Sequence, residues 1–346
     1  MRRQYAEALR RELADRRDYL PSPKLQSVYL GGGTPSQLSL DDVESILTCI
    51  CENYDLQPGA EITLEANPDD VSRELAYGWA RIGINRVSLG VQTFDDHLLA
   101  FLHRRHTARQ AIEAVECLVA CGIENVSADL MYGLPGQSAE SFERDVRTVM
   151  QLPVKHLSSY ALSVEEGTPL SRMMEKHQVC TADEDTFCKE YESLLDLTSH
   201  AGWEHYEISN FALPGYRAVH NSGYWRGIPY LGCGPGAHSY DGKTRRCNNP
   251  DLGAYVMGEH GIPYREERLS LDERFNEQVF TSLRTCEGLD LGNLAESFGH
   301  EALNALMASA GTHLRRGLLE KADGRLRITR KGLFVSDDVM SDLMRV

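Results

Sequence analysis

Short apolar stretches alternate with amphipathic ones along the first 210 residues of the chain. Residues 4–20 predict an amphipathic helix with Tyr5, Leu9 and Leu13 on one face. Strand-like stretches follow, each with a helix-like stretch behind it: QSVYL (26–30), EITLEA (61–66), RVSLGVQ (86–92), NVSADLMYG (125–133), HLSSYALS (156–163) and HYEISN (205–210). This alternation predicts βαβ units in a parallel sheet.

Glycine and polar residues at the ends of these strands favour a barrel over a doubly wound sheet. In a closed or partly closed parallel barrel the carboxyl ends of all strands meet at one rim, whereas a doubly wound sheet concentrates ligand contacts at one switch point. The unusual residues follow separate strands, at Gly31 to Thr34, Glu65 to Pro68, Gln92, Asp129, Gly133 to Pro135, Tyr160 and Asn210. We therefore predict an α/β fold built on a partial parallel (β/α) barrel.

The composition of the sequence changes after about residue 210. Loops rich in Gly, Pro and aromatic residues lead into helical segments, and GLLEKADGRLRITRKG then predicts a two-stranded hairpin over a turn that contains glycine. Helices followed by such a hairpin indicate a small winged-helix-like α+β module. We predict three parts: the partial barrel (1–210), a loop-rich extension (211–269) and the winged-helix-like module (270–346).

Composition narrows the class of function. The chain has 346 residues, of which 51 are acidic and 36 basic, and its net charge of -15 argues against broad binding of nucleic acid or anionic membranes. No apolar run reaches the length of a membrane span, and the first residues contain no apolar signal-peptide core. Nine cysteines at scattered spacing fit a reducing compartment. We expect a cytoplasmic protein whose CxC and CxxxC pairs are thiols on helix faces.

The residues at the predicted rim suit a polar ligand. The GGGTP loop (31–35) has neither the Lys-Ser/Thr of a P-loop nor the GxGxxG spacing of a dinucleotide site, so its glycines serve either a tight turn or close approach of the backbone to a ligand. Glu65 and Asp129 place carboxylates among apolar neighbours, Gln92 adds an amide, and Arg104 adds a guanidinium. Together they favour a ligand that carries an ammonium, a carboxylate and hydroxyls.

Seven motifs carry a resemblance to a known family: GGGTPS, LEANPDD, GVQTFDDHLL, DLMYGLPGQ, ISNFA, HNSGYW and YLGCGPGAHSY, in this order. They resemble the radical S-adenosylmethionine (radical SAM) family of oxygen-independent coproporphyrinogen III oxidases and their relatives, over essentially the whole chain. The resemblance implies that the glycine loop meets the methionyl part of S-adenosylmethionine through its backbone. The implied contact residues for this cofactor are Gly32, Gly33, Thr34, Glu65, Gln92, Arg104 and Asp129.

HNSGYW (220–225) separates two branches of that family. The string is similar to the one in the heme-chaperone branch, whose members bind heme and pass it to acceptor proteins. A histidine flanked by aromatic residues can offer an axial nitrogen and a stacking surface to a porphyrin. The string is equally compatible with a structural role, in which His220 and Asn221 hydrogen-bond a loop while Tyr224 and Trp225 pack in the core. The resemblance implies four heme-binding residues: His220, Asn221, Tyr224 and Trp225.

The iron-sulfur motif of the family does not occur in this chain. Family members carry a CxxxCxxC loop after their first strand, whose three thiolates hold a [4Fe-4S] cluster. No CxxxCxxC is present in the 346 residues. Residues 1–20 resemble the first helix of the family, so the first strand and the cysteine loop would lie upstream of Met1. Three explanations are open: a start assigned at an internal Met, a shortened chain, or a protein that has lost the chemistry. We favour the first. The cluster is then expected only in a full-length version.

These observations predict a heme chaperone that binds heme and S-adenosylmethionine and delivers heme to an acceptor protein, which is either soluble or membrane-bound. The chain itself is expected to bind no nucleic acid and to have no membrane span, and dimerisation stays open. The first alternative is an oxygen-independent coproporphyrinogen III oxidase, which converts two propionate side chains to vinyl groups. The second is a nucleic-acid-binding protein that uses the small basic patch of RLRITRKG and LRRG.

Overall fold

The computed structural model describes residues 2–258 and 261–345. The chain divides into two compact units that are interleaved along the sequence. The half-barrel unit comprises Val28–Leu40 and Glu61–Ala218, and the helix-rich unit comprises Met1–Ser27, Asp41–Ala60 and Val219–Val346. None of the helices in the described residues is long and apolar enough to cross a membrane.

A seven-stranded sheet with the order β1-β2-β3-β4-β5-β7-β6 forms the half-barrel. Its strands are β1 Lys24–Leu30, β2 Asp55–Ala66, β3 Arg86–Gln92, β4 Asn125–Tyr132, β5 His156–Ala161, β6 Glu204–Glu207 and β7 Asn210–Ala212. Strands β2 to β5 are parallel and lie side by side in chain order. The α/β partial barrel predicted from the alternation is thereby confirmed.

Eight helices precede or connect these strands: α1 Arg2–Asp15, α2 Leu40–Asn53, α3 Arg73–Arg81, α4 Asp96–Phe101, α5 Ala108–Ala120, α6 Ala139–Gln151, α7 Pro169–Glu175 and α8 Glu184–His200. Two 3-10 helices, Pro35–Gln37 and Pro68–Asp70, follow β1 and β2. Side-chain caps fix several helix starts; Thr107, for example, forms a capping box with Gln110 at the start of α5.

The prediction that HYEISN forms one further strand of the parallel series was wrong. The segment does not continue the parallel series, because β6 and β7 form an antiparallel hairpin and β7 runs antiparallel to β5. The carboxylate of Glu207 stabilises the turn, since it accepts from the backbone N–H of Ser209 at 3.0 Å and from the side chain of Asn210. A short apolar pattern does not distinguish one strand from a tight hairpin.

The two faces of the half-barrel sheet differ in character. On one face Leu64, Val87, Val126 and Leu157 are fully buried and apolar. Because side chains alternate along a strand, the intervening positions share the opposite face, and on β2 to β5 nearly all of them are polar. Matched in register across the strands, they are Thr63, Glu65, Arg86, Ser88, Asn125, Ser127, Asp129, His156 and Ser158. Strands of a parallel sheet usually carry apolar residues on both faces, so this polar face indicates a ligand-binding interior.

The helix-rich unit contains two small antiparallel sheets. The order of the first is β10-β9-β8, and its elements are α9 Val219–Trp225, β8 His238–Tyr240, β9 Thr244–Asn248, α10 Leu252–Met257 and β10 Tyr264–Arg268. Helix α1 packs against α10, where the rings of Tyr5 and Tyr255 lie 5.9 Å apart.

The second sheet, with the order β11-β13-β12, belongs to the C-terminal module. The elements of the module are α11 Leu271–Leu283, β11 Leu289–Asp290, α12 Leu291–Phe298, α13 His300–Arg315, β12 Leu319–Ala322, β13 Arg325–Ile328, α14 Arg330–Leu333 and α15 Ser336–Ser341. The predicted hairpin is confirmed, with Asp323 and Gly324 at φ values of 51° and 73° in its turn. The boundaries at residues 210 and 269 stay predictions.

A buried ion pair links α1 to the loops of the helix-rich unit. The side chain of Arg16 donates to the carboxylate of Glu12 at 3.0 Å, and the two residues are 7% and 2% exposed. The same carboxylate accepts from the Gly234 backbone at 2.8 Å, the Asn248 amide at 2.7 Å and the Tyr255 hydroxyl at 2.9 Å. A carboxylate satisfied on all sides therefore fixes three distant segments to one helix.

We expect Glu12→Ala to lower the free energy of unfolding by about 3 kcal/mol, because it leaves the Arg16 guanidinium buried without its counter-ion. Urea unfolding of the full chain measures the change. Glu7→Ala on the exposed side of the same helix is the matched control and is expected to cost less than about 0.5 kcal/mol. Equal losses in the two variants would contradict a central role for Glu12.

Candidate functional sites

The glycine loop after β1 is held by a carboxylate from β2. Glu65 accepts from the Tyr29 hydroxyl at 2.7 Å and from the backbone N–H of Gly32 at 3.0 Å. Burial and the neighbouring Glu65 raise the pKa of Tyr29, so its hydroxyl stays protonated and donates. The predicted strand-end carboxylate therefore shapes the loop directly.

Glycine is required in this loop for two different reasons. A Cβ on Gly31 would lie 2.4 Å from the Tyr29 ring and 2.6 Å from a Glu65 oxygen, so a larger residue would displace the carboxylate. Gly32 has a φ of 79°, which L-residues with a side chain rarely adopt. A Cβ on Gly32 or Gly33 would meet no atom within 4 Å, so the backbone there faces open space that a ligand can occupy. Thr34, which follows, is exposed.

Arg104 and Gln92 meet at the end of β3. One terminal nitrogen of Arg104 donates to the Asn67 side chain at 2.7 Å and to the Gly90 carbonyl at 2.8 Å. A Cβ on Gly90 would lie 2.9 Å from that guanidinium and 3.0 Å from the amide nitrogen of Gln92, so only glycine allows both side chains to approach. Gln92 has a φ of 69°, a strained value that turns its side chain at the strand end.

Asp129 lies on the polar face next to the same residues. The Ser88 hydroxyl lies 3.2 Å from both of its oxygens, and Ser88 is the register partner of Glu65. Desolvation at this inner position raises the pKa of Asp129 to about 6, while hydrogen bonds from Ser158 and Ser88 and the charge of Arg86 oppose the rise. A carboxyl group with a pKa in this range is typical of a binding or reactive site rather than of a surface.

The structure thus brings together the predicted residues of the half-barrel in two groups. Glu65 and the glycine loop form one group, which Ser88 connects to Asp129, and Arg104 with Gln92 forms the other. Tyr29, Ser88 and Asn67 hold the predicted residues in place; sequence reasoning missed Tyr29 and Ser88 and included Asn67 only as a strand-end position. Side-chain alternation along β1 and β3 is compatible with Tyr29 and Ser88 facing this site. Which residues they contact depends on the register between strands, which the sequence pattern does not give.

HNSGYW forms the short helix α9 in the helix-rich unit. Nδ1 of His220 lies 2.9 Å from the Ser27 hydroxyl, and Nε2 lies 2.8 Å from the Tyr224 hydroxyl. The rings of His220 and Tyr224 meet edge to face at 4.9 Å, and Tyr224 is 38% exposed. His220 therefore makes hydrogen bonds, as the structural alternative expects, but none of the α9 residues is fully buried in the core.

The other two predicted heme contacts lie on the same helix. Trp225 stacks under the guanidinium of Arg284, 4.8 Å from the ring centroid, and its indole nitrogen is buried without a hydrogen-bond partner. Asn221 is half-buried. An indole N–H without a partner inside the protein has unused capacity for a polar ligand group.

The cysteines do not form a cluster site in the part of the chain that the structure describes. Cys49 is buried, Cys51 is exposed, and Cys117 and Cys121 are half-buried on or beside α5. Within residues 2–258 and 261–345, no group of three or more His, Cys, Asp or Glu side chains is arranged to hold a metal ion.

Known proteins resemble this chain over nearly its whole length. The family model described as Radical SAM superfamily matches residues 2–149, and the HemN C-terminal domain model matches residues 269–335. Heme chaperone HemW of Bacillus subtilis (strain 168) is 33% identical over 343 residues, which cover 97% of this chain and 90% of the relative. The chain belongs to the HemW family of radical SAM proteins. The resemblance expected from the seven motifs is confirmed.

Further relatives agree with this family membership. Heme chaperone HemW of Mycobacterium tuberculosis (strain ATCC 25618 / H37Rv) is 36% identical over 340 residues, covering 97% of this chain and 85% of the relative. The solved structure of coproporphyrinogen III oxidase (HemN) from Escherichia coli, described as a radical SAM enzyme, matches with a TM-score of 0.83 over 99% of this chain and 82% of that one. At 20% identity this likeness shows the fold alone, a partial barrel followed by a C-terminal module.

We expect Asp129→Asn to be more stable than the wild type at neutral pH but not in acid. The pKa of the folded state, about 6, lies above the ordinary value of 3.8, so ionisation of Asp129 costs stability as the pH rises through this interval. Below the interval both side chains are neutral. The free energy of unfolding of the variant, relative to that of the wild type, should therefore rise by about 1 kcal/mol or more between acid and neutral pH.

Urea unfolding at both ends of that pH interval measures the effect. Glu116→Gln, at an exposed position on α5, is the matched control, and as a surface substitution it should change stability by less than about 0.5 kcal/mol. A stability difference between Asp129→Asn and the wild type that stays constant with pH would contradict the assignment of a raised pKa to Asp129.

Proposed function

We propose that this protein is a heme chaperone that binds heme on its helix-rich unit and hands it to an acceptor protein. Two curated relatives named heme chaperone HemW, each aligned over 97% of this chain, support the proposal. The observation that carries it is HNSGYW, which lies on a helix with an exposed aromatic side chain instead of in the core. Delivery follows from the name of the relatives, and the acceptor is a protein partner, soluble or membrane-bound.

The α9 surface suits a porphyrin chemically. Tyr224 is exposed at 38% and offers a ring for stacking, and Val219 and Ile228 are exposed at 43% and 45% beside it in the chain. Asn221, which is half-buried, provides a polar group toward the edge of the ligand. We propose His220, Asn221, Tyr224 and Trp225 as heme-contact residues. We also propose a cytoplasmic location, because the cysteines are free thiols, as is typical of a reducing compartment.

The half-barrel site has open space and charged groups that suit S-adenosylmethionine. The backbone of Gly32 and Gly33 faces open space, and the carboxylates of Glu65 and Asp129 complement a ligand that carries an ammonium and a sulfonium. The guanidinium of Arg104, fixed by Asn67, complements a carboxylate. We propose Gly32, Gly33, Thr34, Glu65, Gln92, Arg104 and Asp129 as the residues that bind this cofactor.

A [4Fe-4S] cluster does not fit the residues present. The cluster needs three cysteine thiolates at one place, and the chain has no CxxxCxxC motif. Among the described residues no group of three His, Cys, Asp or Glu side chains is arranged for a metal. We therefore assign these 346 residues no step of cluster chemistry. The oxidase alternative rests on a likeness of fold alone and is weaker for that reason.

We expect the chain to bind one equivalent of hemin and Tyr224→Ala to raise the Kd about tenfold, because the variant removes the exposed stacking ring. Titration followed by the Soret absorption measures the affinity. Tyr77→Ala removes an exposed tyrosine, 65% accessible, from the half-barrel unit and is the matched control. Failure of the wild type to take up hemin in a saturable way would contradict the proposed function. Equal hemin affinities of Tyr224→Ala and Tyr77→Ala would show that heme does not bind at the α9 surface.

We also expect this chain, incubated anaerobically with iron, sulfide, a reductant and S-adenosylmethionine, to form no 5′-deoxyadenosine. The physical reason is that the thiolate set for the cluster is missing from its 346 residues. Chromatography of the quenched mixture measures the product. Robust turnover would show that other residues assemble a cluster and would overturn the prediction.

A further inference from the structure

A row of tyrosine rings continues the α9 surface onto the first sheet of the helix-rich unit. The rings of Tyr224 and Tyr230 meet edge to face with centroids 4.7 Å apart, and the ring centroids of Tyr230 and Tyr240 lie 6.3 Å apart. Two backbone hydrogen bonds of 2.8 and 2.9 Å join Tyr230 to Tyr240 and hold them together. Tyr224 is exposed and the other two residues are half-buried, so aromatic surface is available to a flat ligand along the row.

Helix α11 lies beside the Tyr240 end of this row. Tyr240 on β8 is the register partner of Arg245 on β9, so the two side chains are neighbours on one face of the sheet. Arg245 forms an ion pair with Glu277 of α11. The next residue along the strand, Ser239, belongs to the opposite face, where its hydroxyl accepts from the side chain of Arg16 at 2.9 Å. The face that carries Tyr240 is therefore the one that α11 contacts.

Arg274 belongs to the same face of α11 as Glu277. It precedes Glu277 by three residues, and residues at this spacing are neighbours on a helix surface. The half-buried Arg274 side chain forms no ion pair and no hydrogen bond in the part of the chain that the structure describes. Burial raises the pKa of Tyr240, and the charge of Arg274 is the strongest influence that opposes the rise, which agrees with a guanidinium close to this ring. The tyrosine row therefore ends beside a cation that a ligand can neutralise.

Aromatic rings that end at a guanidinium suit a flat apolar ligand with a carboxylate at its edge. A guanidinium can form two parallel hydrogen bonds with one carboxylate, and this pairing is stronger than a hydrogen bond between neutral groups. The macrocycle of heme is largely apolar, and its two propionates lie on one edge. Glu277 does not compete for Arg274, because Arg245 already forms an ion pair with that carboxylate. Heme therefore matches both the shape and the charge of the row.

We propose, on the basis of the heme binding proposed above, that Arg274 binds a propionate of heme whose macrocycle lies along Tyr224, Tyr230 and Tyr240. The contact surface then extends from α9 to β8 and α11 within the helix-rich unit. The rings supply affinity for the macrocycle, and Arg274 supplies specificity for porphyrins with free carboxylates. Binding makes and breaks no covalent bond in this contact.

Hemin and hemin dimethyl ester, in which both propionates are esterified, distinguish the two kinds of contact in the wild-type chain. We expect hemin to bind about tenfold more tightly than the ester, because only hemin can form the charged hydrogen bonds with Arg274. Titration of both ligands in one mixed solvent, followed by the Soret absorption, measures the two Kd values. Absence of saturable hemin uptake would contradict the proposed function itself. Equal Kd values for hemin and the ester would overturn the role of Arg274 and leave heme binding intact.

Variants then assign the preference for hemin to one side chain. Arg274→Ala should bind hemin about tenfold more weakly than the wild type and bind the ester with unchanged affinity, whereas Arg274→Lys should keep part of the preference. Arg268→Ala is the matched control and should match the wild type, because Arg268 is an exposed arginine of β10 whose register partner Thr244 lies on the face opposite Tyr240. An unchanged preference in Arg274→Ala, or an equal loss for both ligands, would overturn the proposal.

The tyrosine row has a readout of its own. Tyr230→Ala removes the middle ring and should weaken the binding of hemin and of the ester by the same factor, about tenfold, because the macrocycle is common to both ligands. Tyr230→Phe keeps the ring and should match the wild type, and urea unfolding of both variants checks that the fold is retained. Unchanged affinities for both ligands in a folded Tyr230→Ala, or a loss confined to hemin, would exclude the row as the surface for the macrocycle.

Discussion

The contact of Glu65 with the glycine loop is the interaction on which the half-barrel site depends. One carboxylate, projecting from a strand end, accepts from a tyrosine hydroxyl of the preceding strand and from the backbone of Gly32. Because the loop has no side chains of its own to hold it, this carboxylate determines its path. The absence of a Cβ at Gly31 in turn leaves the space that the carboxylate occupies. The glycine loop and the Glu65 carboxylate therefore depend on each other, and a substitution in one is expected to displace the other.

A glycine also makes room for polar side chains at the end of the next strand, β3. Gly90 lets the guanidinium of Arg104 and the amide of Gln92 approach the backbone together, much as Gly31 admits Glu65. Polar residues at alternate positions of β2, β3 and β4 then extend from Glu65 through its register partner Ser88 to Asp129. A polar sheet face costs stability, since each group must find a partner away from water. Such a face is retained where a ligand completes the set of partners.

Much of this arrangement could be predicted from the sequence. Alternation predicted β2 to β5, and the convergence of strand ends predicted that Glu65, Gln92 and Asp129 share one rim. The hairpin of β6 and β7 was beyond the reach of the pattern, because two short strands and one longer strand share the same periodicity. Glu12 was missed for a different reason, since a carboxylate on an amphipathic helix normally faces solvent, and only distant partners such as Asn248 and Tyr255 make its burial favourable.

The interleaving of the two units has a consequence for the order in which the protein can be made. The half-barrel unit is encoded in the middle of the chain, whereas the helix-rich unit takes segments from the beginning and from the last third. During synthesis from the amino terminus, the half-barrel can close before the partners of α1 have left the ribosome. Helix α1, with its buried carboxylate, must then wait for the Gly234 loop, β9 and α10 to emerge. The surface proposed for heme, on α9, follows the half-barrel unit in the sequence, so a nascent chain cannot offer it until the half-barrel has been synthesised.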